Sequence, residues 1–286
     1  MAQIIDGKAL ASAVRAEVAA DVAAIKADGG RVCFAAVLVG DDPASKIYVR
    51  NKQRACEKAG IEFTLHTLAA NCHQRQIIAL IKKLSQDKTV NGVLLQLPLP
   101  ATVVERDEAA AINAIDPQKD VDGLTTVNTG YLVNRAAGLV PCTAQGVAHA
   151  ILSVCPDLTG KNVVIIGRSR IVGRPTSLLL SNLNATVTVC HRATKNLAEH
   201  TQRADIIVVA AGCPNLLTAK MVARNAIVID VGINRLADGR LVGDVAYAEV
   251  AKKVAAITPV PGGIGPLTIA FLLKNLITAY RWQHGL

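Results

Sequence analysis

In the stretch DDPASKIYVRNK, Tyr48 and Lys52 stand four residues apart, so on a helix they share one face. A lysine at such a place serves as proton donor or acceptor where desolvation lowers its pKa. A tyrosine beside it stacks on a flat ring while its hydroxyl makes a polar contact. A solvated lysine and a packing tyrosine would use the same spacing. In GVLLQLPLP, Gln96 interrupts an apolar run near its carboxyl end, with Pro98 and Pro100 stiffening the chain just beyond. A buried amide must find partners: a lysine ammonium, a substrate group, or nearby backbone. In KDVDGLT, Asp120 and Asp122 point in opposite directions if the segment is extended, so only one faces a given ligand. A carboxylate there accepts two parallel hydrogen bonds from an amidine-like ring edge, or closes a turn. TPVPGGIGPLT, residues 258–268, has the glycines and prolines of a ligand-lining loop or of a domain connector.

A second kind of chemistry is written in NVVIIGRSRIVGRP, residues 162–175, where an apolar run of branched residues breaks at Gly167 and a helix restarts near Pro175. Gly167 and Gly173 let the backbone turn tightly and approach a pyrophosphate, and the helix presents free N–H groups to the anion. The spacing is not G-x-G-x-x-G, and an ordinary strand-to-helix turn would look similar. The next strand, TVTVC, ends at Cys190 and is followed by His191 and Arg192. An NAD-specific site carries an acid about 20 residues after the glycines to hold the ribose hydroxyls. This segment has none. Arg168 and Arg192 are instead placed to meet a 2′-phosphate, which favours NADP over NAD.

These residues need elements to hold them. DGKALASAVRAEVAADVAAIKADGG predicts a long first helix with an opening near Asp6 and a stop at Gly29–Gly30. RVCFAAVLVG, IEFTLHTL and VNGVLLQLPL read as strands, separated by helices at about 44–59 and 72–87. The alternation restarts with a helix at about 143–154, strand NVVIIG, a helix at 175–183, then TVTVC, DIIVVAAG and AIVIDVGIN. Strands alternating with helices mean parallel sheets covered on both faces, hence two α/β units, expected to enclose a cleft. The last apolar helix, about 267–283, either stays with the second unit or crosses back to the first.

With 286 residues and 51% hydrophobic composition, the chain has the length of one large or two ordinary domains and material for a real core. No apolar run reaches the length of a membrane span, and MAQIIDGKAL lacks the pattern of a signal peptide, so a cytoplasmic location is expected. The seven cysteines form no C-x-x-C pair, which points to reduced, structural thiols. The six histidines show no ligand spacing, and no metal is expected. A net charge of +9 suits small anionic ligands; with aromatics at only 3% there are few stacking platforms, and no nucleic-acid partner is expected.

Taken together, VGDDPASKIYVRNK, GVLLQLPLP, KDVDGLT, PCTAQG, GRSRIVGRP, AIVIDVGIN, GDV and TPVPGGIGPLT resemble, in order and spacing, the bifunctional methylenetetrahydrofolate dehydrogenase/methenyltetrahydrofolate cyclohydrolase family. The resemblance spans nearly the whole chain. It implies a folate-binding catalytic α/β domain at 1–141 with 268–286, a Rossmann-like NADP-binding domain at 142–267, and a homodimer. It implies Lys52 as the catalytic lysine, Tyr48 as the tyrosine stacking near the folate, Gln96 as the group positioning the lysine, and Asp122 as the acid on the pterin edge. Leu97, Pro98, Pro261, Gly262 and Gly263 would complete the substrate pocket. For the cofactor it implies Gly167, Arg168, Ser169, Ile171, Val172 and Gly173 of the dinucleotide loop, with Thr143, Arg192 and Ile233 as further contacts. The implied activity is oxidation of 5,10-methylenetetrahydrofolate with NADP⁺, then hydrolysis of the methenyl product to 10-formyltetrahydrofolate in one-carbon metabolism. Ile264 and Leu267 replace the more frequent Val and Met of the glycine loop, both conservative changes. The competing readings are a monofunctional NADP-linked dehydrogenase on the same scaffold and a folate- or nucleotide-binding protein without catalysis. The Lys52 and Gln96 pair weighs against the first, since hydride transfer alone needs no such pair.

Overall fold

A computed structural model describes residues 2–236 and 238–286 of the chain. It divides into two compact units, one formed by Ala13–Val140 with Leu272–Leu286, the other by the chain through Ser12 with Pro141–Phe271.

The chain opens with β1 (Gln3–Ile4) and α1 (Gly7–Ala27). The Asp6 carboxylate accepts from the N–H groups of Lys8 at 2.9 Å and Ala9 at 3.2 Å, satisfying donors that the first turn leaves without partners. There follow β2 (Cys33–Val39), α2 (Pro43–Ala59), β3 (Glu62–Leu68), α3 (Gln74–Gln86), β4 (Gly92–Leu95), and the short helices α4 (Glu108–Ile112) and α5 (Thr126–Val133). The three strands form a parallel sheet in the order β3-β2-β4. Every side chain of the central strand CFAAVLV is buried, as expected of a strand flanked by parallel partners. Its Ala35, Val37 and Val39 pack with Ile77, Ile81 and Leu84 of α3 and with Val93 and Leu95, each large aliphatic contributing about 2 kcal/mol. The start of α2 is fixed by Asp42, whose carboxylate accepts from the Ser45 N–H at 2.7 Å, and by Pro43 in the first turn.

The remaining elements are α6 (Cys142–Leu152), β5 (Asn162–Ile166), α7 (Gly173–Asn182), β6 (Thr186–Cys190), α8 (Leu197–Thr201), β7 (Ile206–Val209), a 3₁₀ turn at Ala219–Met221, β8 (Ile227–Asp230), β9 (Asn234–Arg235), β10 (Leu241–Val242), α9 (Tyr247–Val250), β11 (Ala256–Ile257) and α10 (Ile264–His284). Six strands form a parallel sheet in the order β1-β11-β8-β7-β5-β6, and β9 and β10 make a separate hairpin. From β5 the chain steps outward to β6, then returns across β5 to β7. The order therefore reverses between β5 and β7, and in such sheets the crevice beyond the carboxyl ends of those strands receives ligands.

The two α/β units and their long elements match the alternation in the sequence, while the short elements β1, α4, α5, α8, β10, α9 and β11 were not expected from it. The residues before Ala13 were expected in the N-terminal domain. They belong with the six-stranded sheet, because Gln3 and Ile4 pair with Ala256 and Ile257. Helix α7 starts at Gly173, two residues before Pro175, and the Ser169 hydroxyl accepts from the Val172 and Gly173 N–H groups at its start. The end of α10 is tied into the three-stranded unit. Asn275 donates to the carbonyls of Val121 and Val140, Gln283 donates to that of Asn91, and Arg281 pairs with Asp21. Among the described residues, no helix is long and apolar enough to cross a membrane.

Candidate active site

In the three-stranded unit, the chemistry-bearing side chains gather around the carboxyl end of β4. Gln96 follows the strand directly and is 8% exposed. Its Oε1 accepts from Lys52 Nζ at 2.8 Å, and its Nε2 donates to the Leu97 carbonyl at 2.7 Å. The second bond decides which end of the amide meets the lysine: an ammonium has only donors, so the oxygen must face it. Lys52 lies on the third turn of α2, half-buried, with Tyr48 one turn earlier and 43% exposed. The LPLP segment is shaped by its neighbours. The Leu99 N–H donates to Glu108 at 2.8 Å, Arg106 donates to the Leu99 carbonyl at 3.1 Å, and the Leu97–Pro98 bond is cis.

Asp120 and Asp122 are placed differently. Asp120 is buried and accepts from the N–H groups of Gly123 and Thr125 at 3.0 and 2.7 Å and from Asn128 Nδ2 at 3.0 Å, so it is consumed in holding its own loop. Asp122 is half-buried, two residues beyond the bridge that sets Asp120 beside Val93 of β4. Lys119 of the same motif is buried and committed to the Asp87 carbonyl at 2.7 Å. Desolvation pushes its pKa down.

In the six-stranded unit, the glycine turn sits at the strand-order reversal. Gly167 has φ 121°, a conformation that favours glycine, and a Cβ there would run into the carbonyl of Ala210 beyond β7. A Cβ on Gly173 would run into the Gly167 carbonyl. The bare backbone of both residues is thus what closes the turn. Arg168, Ser169 and Ile171 are exposed on it, with Val172 half-buried. Ile166 pairs with Cys190, so Arg168 and Arg192 each stand two residues beyond a matched pair on neighbouring strands. The turn carrying Arg192 is held by His191, whose N–H donates to Thr194 at 2.9 Å and whose Nδ1 accepts from Ala193 at 3.2 Å. Ile233 is 49% exposed beyond β8. Thr143 meets Thr268 at 3.2 Å between their hydroxyls. In the loop before α10, the Val260–Pro261 bond is cis, Gly262 has φ 107°, and the Gly263 carbonyl lies where a side chain on Gly7 would be.

Two further carboxylates escaped the sequence reading. Asp230, closing β8, and Asp244, of the GDV motif, are 2% and 0% exposed and accept from backbone N–H groups of several loops. The available signal was an acid ending the apolar run AIVID, which no ordinary strand buries without partners.

Comparison with known proteins agrees with this layout. Residues 5–122 match the model of the tetrahydrofolate dehydrogenase/cyclohydrolase catalytic domain, and residues 141–284 match that of its NAD(P)-binding domain. The bifunctional protein FolD of Magnetococcus marinus is 48% identical over 287 residues, covering 100% of each chain. The crystal structure of the bifunctional FolD dehydrogenase/cyclohydrolase of Campylobacter jejuni is 46% identical with a TM-score of 0.95, covering 99% of this chain and 100% of that one. The Trypanosoma brucei methylenetetrahydrofolate dehydrogenase-cyclohydrolase, solved with NADP cofactor and an inhibitor, is 37% identical with a TM-score of 0.93, covering 98% of each. The chain belongs to the tetrahydrofolate dehydrogenase/cyclohydrolase family.

Proposed function

We propose that the chain oxidises 5,10-methylenetetrahydrofolate to the methenyl cation with NADP⁺ and hydrolyses that cation to 10-formyltetrahydrofolate. The observation that carries both halves is the 2.8 Å bond from Lys52 to Gln96 beside an exposed tyrosine, on a chain that also bears a glycine-closed dinucleotide turn. The turn fits NADP: its backbone lies bare at Gly167 and Gly173, and two guanidinium groups stand at the adjacent sheet edge, where a 2′-phosphate finds charge-assisted donors. When bound, NADP⁺ supplies the hydride acceptor.

The protein's own part is orientation and proton management. Asp122 accepts two bonds from the pterin edge, Tyr48 stacks on the folate, and Leu97 and Pro98 shape the substrate's surroundings. In the hydrolytic half, water adds to the methenyl carbon and gives a proton to the Lys52 amine. The added hydroxyl then loses its proton as the carbonyl forms and the bond from that carbon to N5 breaks; N5 takes the proton back from the Lys52 ammonium, and the hydroxyl proton leaves to solvent. An ammonium beside a cationic carbon is repelled, so Lys52 enters this step neutral, held in place by Gln96 Oε1. Lys52→Gln is expected to abolish hydrolysis of methenyltetrahydrofolate; normal hydrolytic turnover in that variant would overturn the assignment. We further propose a homodimer, as the family resemblance implies, tested by sedimentation equilibrium, and a cytoplasmic location, tested by cell fractionation.

A further inference from the structure

We infer that Asp244, braced by Asp230, positions the loops of the six-stranded unit that receive NADP; this rests on the cofactor reading above. Asp244 is fully buried and accepts four hydrogen bonds. Oδ2 takes the N–H groups of Ala211 and Gly212 at 2.6 and 2.8 Å, and Oδ1 takes the Cys213 N–H at 2.9 Å and Asn234 Nδ2 at 2.8 Å. Three successive N–H groups converging on one carboxylate form an anion nest, here filled by the protein's own side chain. Asp230 repeats the device. Its Oδ1 accepts from the N–H groups of Gly232 and Asp244 at 2.9 and 3.0 Å, its Oδ2 from that of Val245 at 3.0 Å, and its own N–H donates to the Thr258 hydroxyl at 2.8 Å.

The two acids thereby tie together the loops after β7 and β8, the GDV segment, and the start of the 258–263 loop. The first of these faces the dinucleotide turn: the Ala210 carbonyl is the group that a side chain on Gly167 would strike. The second carries Ile233. The packing leaves no slack, since a Cβ on Gly232 would meet the Asp244 carboxyl and one on Gly243 would meet that of Asp230. Asp244 touches neither substrate nor cofactor in this account; it acts through the backbone it holds, so it is a positioning residue.

Asp244→Asn replaces one acceptor oxygen by an NH₂ that must face N–H donors. In the full-length chain, hydrogen exchange of the amides at 211–213 is expected to quicken at least about tenfold over wild type at the same pH, while β5 and the Lys52 helix keep their protection. NADPH affinity and KM for NADP⁺ are expected to worsen by about tenfold, with kcat at saturating NADP⁺ changing far less. Asn234→Ala, which removes the side-chain bonds to Asp244 and to the Val242 carbonyl and spares the nest of backbone N–H groups, keeps the test open if the first variant fails to fold; it should weaken NADPH binding about threefold. Unchanged exchange at 211–213, or faster exchange with unchanged NADPH affinity, would overturn the inference. A wild-type chain that binds no NADPH would instead overturn the cofactor reading.

Discussion

Gln96 is the residue whose replacement separates the two halves of the proposed reaction. Its side chain is nearly buried, and its carbonyl oxygen sits 2.8 Å from Lys52 Nζ. A hydrogen bond between neutral groups is worth about 0.5–1.5 kcal/mol, so Gln96→Leu, which keeps bulk and removes the acceptor that holds the neutral amine in place, should slow methenyl hydrolysis about threefold to tenfold. Gln96→Glu is the sharper variant. A carboxylate at that distance holds the lysine in its ammonium form and raises its pKa by about 1–3 units, each unit lowering the neutral fraction about tenfold at a fixed pH. Hydrolysis by Gln96→Glu should therefore rise only at correspondingly higher pH, while hydride transfer, which needs no base at that position, should lose much less. The assay is the initial rate of methenyltetrahydrofolate decay from pH 6 to 10, paired with NADPH formation from the methylene substrate. A Gln96→Glu profile that superimposes on wild type, or a Gln96→Leu rate within about twofold of it, would refute the coupling of this amide to the lysine's proton.

Replacing both Arg168 and Arg192 by Ala should lower the NADP⁺/NAD⁺ ratio of kcat/KM about a hundredfold, given the worth of charge-assisted phosphate bonds discounted for their exposure; an unchanged ratio would contradict the phosphate assignment. Gly173→Ala should cost about 1–3 kcal/mol by thermal unfolding and weaken NADP⁺ binding, because the new Cβ meets the Gly167 carbonyl. Burial pushes the Asp230 carboxyl up from 3.8 to about 6. Between those values the folded state holds a proton that the unfolded state has released, so this group's contribution makes stability fall as pH rises, by about 3 kcal/mol in all, and then level off. Asp230→Asn should flatten that segment of the stability curve, measured by urea unfolding at steps from pH 4 to 7; the same slope in variant and wild type would refute it. Asp122→Asn should raise KM for the methylene substrate about tenfold by weakening the paired contact to the pterin edge, leaving NADPH affinity unchanged.

What could be read from the chain depended on how local the determining physics was. The long strands and helices were legible because a buried parallel strand such as CFAAVLV is a continuous apolar run, and α1 announces both ends in Asp6 and Gly29–Gly30. β1 was not: two residues acquire strand geometry only because Ala256 and Ile257 lie beside them. Lys52 and Gln96 were visible as a polar pair on an apolar background, but the orientation of the amide required the Leu97 carbonyl. Alternation told that Asp120 and Asp122 face different ways without telling whether Asp120 braces its own loop. The donors of Gly123, Thr125 and Asn128 answered that. Asp230 and Asp244 went unread because their partners are backbone N–H groups from loops distant in sequence, which no residue type advertises.

The central claim is that one chain performs both steps with NADP⁺. The most direct measurement mixes wild-type protein, 5,10-methylenetetrahydrofolate and NADP⁺ and follows methenyl absorbance and NADPH together at two wavelengths. The account predicts NADPH rising throughout while methenyl absorbance passes through a low maximum and decays to 10-formyltetrahydrofolate, with much slower turnover when NAD⁺ replaces NADP⁺. Methenyl product accumulating in step with NADPH, and decaying no faster than it does without protein, would contradict it.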